Sequence, residues 1–271
     1  MTEPFQLIRQ KKRYLPPAKK ATIRRLSEIQ WKAVLTTAKR LAQETPDIHE
    51  RTLFIITCLY SMYLRISELV ATSRWEPTMG DFKKGPYKSW WFETVGKGNK
   101  HREIAVSDTM LIALKHYRKH LGLSTLPSPG EKTPLLMDLE GKKPLKGIRT
   151  IRQIVQHCIN ETVHYLYAQN EKEEAETLPQ VTVHWFRHTG ISDDVNVTNR
   201  PREHVRDDAG HSSSAITDKY INVELRKRYE SAKNKSISGF VVEPPKVAGF
   251  RSFPAAPAIF STFLPLLQLA Y

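Results

Sequence analysis

One stretch of strand-like alternation sits between long runs of helical periodicity, and it limits the folds open to this chain. From Ser89 to Val95 the residues are aromatic and β-branched, and from His101 to Val106 apolar and polar residues alternate. Gly96-Lys97-Gly98-Asn99-Lys100 between them consists of turn formers, so the segment predicts a β-hairpin. Helical spacing dominates elsewhere. Ser27 and Gln30 have the spacing of a capping box, and Ile29, Ala33, Val34, Ala38 and Leu41 predict a first helix ending before Pro46. A second helix is predicted from about Ile48 to Tyr63, apolar on most sides and therefore central, followed by a helical turn over Ser67 to Ala71. Ser107 caps a predicted helix from Asp108 to Leu121, and another runs from Ile148 to Tyr167. The acidic run Glu171 to Glu176 reads as a solvated linker. Three further helices are expected: near His184 to Asp194, starting at Pro201, and from Ser213 to Tyr220. The fold class expected is α+β, mostly helical, with a small antiparallel sheet.

At 271 residues the chain can bury one large core or two modest ones. The segment 1–24 reads as a basic flexible arm: from Met1 to Arg25 there are eight Lys or Arg against the single Glu3, with Pro16 and Pro17 among them. One domain is expected over 25–235. The tail 236–271 is apolar but interrupted by Pro244, Pro245, Pro254, Pro257 and Pro265, and predicts no independent domain. The formal charge of +14 points to a polyanionic partner, nucleic acid first, although ribosomal and membrane-surface proteins share such a charge. Cys58 and Cys158 are too few for a disulfide framework and lack metal-ligand spacing, which suits a reducing compartment. The N-terminus lacks the apolar core of a secretory signal, and Leu53 to Leu64 is too short to span a bilayer. The expected location is cytoplasmic and nucleoid-associated, with no membrane partner.

Phosphodiester chemistry needs cations to hold the non-bridging oxygens, a nucleophile, and a proton donor for the departing sugar oxygen. Arg65, in Leu64-Arg65-Ile66-Ser67-Glu68-Leu69, stands at the end of the buried helix, where a guanidinium can grip a phosphate; the plainer alternative is an ion pair with Glu68. Lys97 sits at the hairpin tip between two glycines, either as a proton donor or as a solubilising turn residue, with Lys100 its nearest competitor. His184-Trp185-Phe186-Arg187-His188 puts two imidazoles and a guanidinium within one helical turn. A zinc reading of His184 and His188 is weak, because Trp185 replaces the expected glutamate, and a core histidine is the other alternative. His211, in Ala209-Gly210-His211-Ser212-Ser213, precedes Tyr220 by a short helix. A tyrosine is a poor nucleophile at neutral pH until its proton is removed or its oxyanion stabilised, and a lone tyrosine is more often a core or surface aromatic.

Taken in order, the arginine segment, the Gly-Lys-Gly-Asn-Lys hairpin, His-x-x-Arg-His, and Gly-His followed by Tyr220 resemble the tyrosine recombinases, or phage integrase family, over about Arg25 to Asn234. The resemblance implies a catalytic domain at 25–235 in which Tyr220 attacks the scissile phosphate of double-stranded DNA to give a 3′-phosphotyrosine. It implies that Arg65, Arg187 and His211 stabilise the transition state, that Lys97 protonates the leaving 5′-hydroxyl, and that His184 acts as general base or further phosphate contact. No cofactor, metal, ATP or small-molecule substrate is implied; a homotetramer on paired sites is, with the tail docking on a neighbouring subunit. Met62 and Tyr63 stand where a Thr-Gly pair is usual, Phe186 where leucine precedes the second arginine, and Ala209 where leucine precedes Gly-His. Only the basic arm precedes Ser27, where family members carry a helical core-binding domain, so weaker and more salt-dependent DNA binding is expected. Two alternatives remain open: a truncated DNA-binding derivative that regulates a full-length recombinase, and a type IB topoisomerase, against which the short length and Gly-His-Ser-Ser count.

Overall fold

A computed structural model describes residues 24–73, 75–96, 98–141 and 143–221 of the chain. The sequence-predicted arm, the tail and Lys97 lie outside the described residues. Helix α1 (Glu28–Glu44) begins with the expected capping box: Ser27 Oγ accepts from the Gln30 N–H, and the Gln30 side chain accepts from the Ser27 N–H. Helix α2 (Pro46–Ser61) starts on a proline, whose missing N–H costs nothing in a first turn. Phe54, Ile55, Ile56, Cys58 and Leu59 are all buried on α2, which packs against α1 and, later in the chain, α3 (Asp108–His120), α4 (Ile148–Ala168) and α6 (Val183–Asn196). Its apolar content on most sides is thus explained by neighbours on most sides.

The sheet contains the predicted hairpin, β2 (Trp90–Gly96) paired antiparallel with β3 (Lys100–Ala105), and an additional strand, β1 (Phe82–Lys84), on the other edge of β2. A three-residue strand is too short to display alternation, so the sequence gives no sign of it. Phe92 pairs with Phe82 on one side and Ile104 on the other, and the three buried side chains fasten the sheet to the helical core.

The acidic run is not a linker. Residues Lys172–Thr177 form helix α5, with Ala175 buried beneath it. Glu174 accepts from Ser27 Oγ at 2.9 Å, and Gln30 Nε2 donates to the Glu174 carbonyl at 3.0 Å and to Thr177 Oγ1 at 2.8 Å. The acids solvate the outer face while one alanine and the cap of α1 supply the anchor, which charge counting does not register. The last helices among the described residues are α7 (Arg202–Ala209), with Pro201 as its cap rather than its first residue, and α8 (Ser214–Asp218). Both cysteines are free and buried. Among the described residues no helix is long and apolar enough to cross a membrane.

Helix α6 approaches α2 so closely at Gly190 that a Cβ there would lie 2.1 Å from the Tyr60 carbonyl oxygen. Gly190→Ala gains up to about 1 kcal/mol of helix propensity, yet the overlap with backbone must push the helices apart at a cost of about 1–3 kcal/mol or more. The variant is expected to unfold at a lower urea midpoint than the wild type; an equal or higher midpoint would show that α6 can shift freely.

Candidate active site

The chain leaves α2 through Met62 and Tyr63. Tyr63 has φ 51°, a left-handed conformation that glycine adopts freely and other residues enter at about 1–2 kcal/mol. The glycine usual in the resembled motif therefore has a conformational reason, and tyrosine meets the same requirement here by other means. Its ring is buried, its hydroxyl bonds Asp194, and Arg200 Nη1 donates to it at 3.0 Å. The Tyr63 carbonyl, turned by this conformation, accepts from Arg187 Nη1.

Arg65 caps a single 3₁₀ turn, Ile66–Glu68, in place of the longer helical turn expected. Its N–H donates to Glu68 Oε2 at 2.7 Å and its Nη1 to Glu68 Oε1 at 3.0 Å, so the ion pair considered as the plainer alternative does form. Glu68 is fully buried and also accepts from Arg102 Nη2 on β3 at 2.6 Å. A single carboxylate thus holds two arginines, and the Arg65 side chain keeps 26% of its surface exposed. Gly96, at the base of the hairpin turn, lies against this pair: a Cβ would stand 3.2 Å from Glu68 Oε1 and 3.3 Å from Arg65 Nη1. The absence of a side chain lets the hairpin close over the arginine.

On α6, Phe186 points into the main core while His184, Arg187 and His188 share the opposite side. Arg187 is 2% exposed and donates to two backbone carbonyls, Tyr63 O and Ala209 O, from segments far apart in sequence. The His184 and His188 rings meet edge to face at 4.3 Å between centroids. Helix α7 ends at Gly210, and His211 follows with its Nδ1 at 2.9 Å from Thr217 Oγ1 of α8. Tyr220, 5% exposed, is rooted in a small apolar cluster with Tyr63, Ile191, Val205 and Ala209. Its ring stacks on His211 at 5.9 Å, its carbonyl accepts from Asn196 Nδ2 at 2.9 Å, and its hydroxyl meets His188 Nδ1.

The phage integrase family model matches residues 24–226, about three quarters of the chain. The chain belongs to the phage integrase family. No curated protein matches it significantly. Among solved structures it is similar to the XerH site-specific recombinase bound to difH substrate, at 16% identity and TM-score 0.53, over 82% of this chain and 58% of that one. The XerA recombinase matches at 16% identity and TM-score 0.52, over 81% and 66%. The Tn1549 transposon integrase in complex with transposon right end DNA matches at 15% and 0.50, over 81% and 68%. The chain thus spans a little over half the length of the XerH recombinase, and identities this low establish a shared fold.

Within the integrase-family fold, five of the six sequence-predicted site residues gather into one electrostatic cluster. Burial and the charges of Arg65 and Arg102 push the Arg187 pKa down to about 9. Burial, Arg187, Arg65 and Arg102 lower His211 to about 4, and burial with Arg187 and Arg65 lowers His184. Burial raises the Tyr220 phenol, with Arg187 opposing. The histidines are therefore neutral at pH 7, the phenol is protonated, and the uncompensated charge is cationic. An anion placed among these groups would relieve the cations' mutual repulsion.

The residues that support this cluster belong to none of the sequence motifs. Arg200 bonds Asp194 at 3.0 Å and Asp208 at 2.7 Å, Asp208 Oδ1 accepts from the Ala105 N–H, and Arg102 Nη1 donates to the Asp208 carbonyl at 2.8 Å. The two contacts of Asp208 with β3 join residues more than a hundred positions apart, where no local spacing could reveal them, and the two made by Arg200 span six and eight residues, beyond the three- and four-residue spacing of helical pairs. Replacing Glu68 with glutamine keeps the shape but leaves Arg65 and Arg102 unneutralised beside Arg187. Removing one partner from a buried ion pair costs about 3–5 kcal/mol, so Glu68→Gln should lower stability in urea by that order, partly recovered by added phosphate. A loss under about 1 kcal/mol would show that solvent already screens the cluster.

Proposed function

We propose that this chain cleaves and rejoins strands of double-stranded DNA as a site-specific recombinase or integrase, through a 3′-phosphotyrosine at Tyr220. The observation that carries the reading is the convergence of Tyr220, Arg65, Arg187, His184 and His211, from four separate segments, on one cationic cluster around the buried Arg187. Arg65, Arg187 and His211 hold the non-bridging oxygens and the charge that grows on them in the pentavalent transition state. His184 adds a phosphate contact. Lys97, next to the glycine packed on Arg65, delivers a proton to the departing O5′. The phosphotyrosine keeps the energy of the broken bond, so a 5′-hydroxyl from a partner duplex can reverse the step, and four copies on paired sites exchange strands. The +14 charge supplies the sequence-independent part of DNA affinity.

Duplexes selected for binding from a random-sequence library, then nicked so that the departing 5′ fragment diffuses away, should trap a covalent adduct on a denaturing gel. Tyr220→Phe should bind the same duplexes with affinity within about threefold and give no adduct, because it loses one hydroxyl and no cation. Binding without any adduct from the wild-type chain would favour the regulatory, non-recombining alternative; relaxation of supercoils by monomers would favour a topoisomerase.

A further inference from the structure

The phenol that must lose a proton is held by a residue to which the family resemblance assigns no role. Tyr220 Oη meets His188 Nδ1, one helical turn beyond His184 on the same side of α6. The imidazole is fixed from several directions: its ring meets His184 edge to face at 4.3 Å and lies 5.5 Å from the Tyr220 ring, tilted by 38°. The other histidines are less suited to the task. His211 Nδ1 is engaged by Thr217 and its ring lies over the Tyr220 ring, while His184 contacts the phenol only by way of His188. Resting on the strand-cleavage reading of this same site, the geometry points to His188, rather than His184, as the general base that takes the Tyr220 proton.

The Tyr220 O–H proton passes to His188 Nδ1, the Oη–P bond forms, and the P–O5′ bond breaks with its electron pair leaving on O5′, which Lys97 protonates. His188 must begin neutral with its ring proton on Nε2. Burial, His184 and Arg187 lower its pKa to about 4, so it is neutral at physiological pH and Nδ1 accepts from the phenol. The groups facing it are His184 and Arg187 on α6, His211 after α7 and Tyr220 after α8. Burial remains the largest cause, and a bound phosphodiester offsets the positive charge beside the imidazole, raising its pKa part of the way toward the ordinary value of about 6.5. The rate should therefore climb with pH between about 4 and 6.5 as His188 loses its proton, then level off.

The test is single-turnover cleavage of the library-selected, nicked duplexes across about pH 4.5 to 8, for the wild-type chain, His188→Asn, His188→Ala and His184→Asn. The asparagine amide stands near the place of Nδ1 and keeps a hydrogen-bonding partner for the phenol without titrating. With the enzyme in saturating excess over DNA, His188→Asn should cleave roughly 100-fold more slowly and lose the acid limb, whereas His184→Asn should bind DNA more weakly and retain the limb. Free imidazole should accelerate His188→Ala. Cleavage by His188→Asn within about threefold of wild type with the same limb, or loss of the limb in His184→Asn alone, would overturn the assignment. Absence of an adduct from the wild-type chain would instead overturn the strand-cleavage reading beneath it.

Discussion

Burying Arg187 commits the fold to the rest of its active-site architecture. Taking a guanidinium out of water costs several kcal/mol unless its donors are met, and here they are met by the Tyr63 and Ala209 carbonyls. Those two acceptors come from the turn that carries Arg65 and from the helix that leads to His211 and Tyr220. One cation therefore fixes the relative positions of segments more than a hundred residues apart. The left-handed backbone at Tyr63 belongs to the same constraint, because it directs the carbonyl toward Arg187.

Neutralisation inside the cluster is incomplete by design of its geometry. Glu68 serves Arg65 and Arg102, Asp208 serves Arg200, and Arg187 receives only neutral carbonyls among its described hydrogen bonds. The depressed pKa values of Arg187, His188 and His211 come first from burial, which penalises the charged form, and then from the positive charges beside them.

Much of this was legible in the sequence, for physical reasons that also explain what was not. The hairpin, the capping box at Ser27 and the central helix are local patterns that packing reinforces, so periodicity located them closely. The motif residues could be listed in order, but the pairing of Arg65 with Glu68 could be weighed only as an alternative, since an (i, i+3) spacing suits both a bridge and a phosphate grip. Arg102, Arg200 and Asp208 act across the tertiary fold and carry no local mark. His188 stood in the motif beside Arg187, yet only three-dimensional contact separates it from His184. The α5 segment misled because its charge is external while its anchor is one alanine.

On the proposed function, a single backbone phosphorus sits among side chains drawn from positions 65 to 220. A crystal structure of Tyr220→Phe bound to a selected duplex tests it most directly. The account predicts one phosphate hydrogen-bonded by Arg65, Arg187 and His211, with the residue 220 ring edge facing the phosphorus opposite O5′. A duplex seated elsewhere on the surface, with no phosphate reaching Arg187 and residue 220 still enclosed in its apolar cluster, would contradict it.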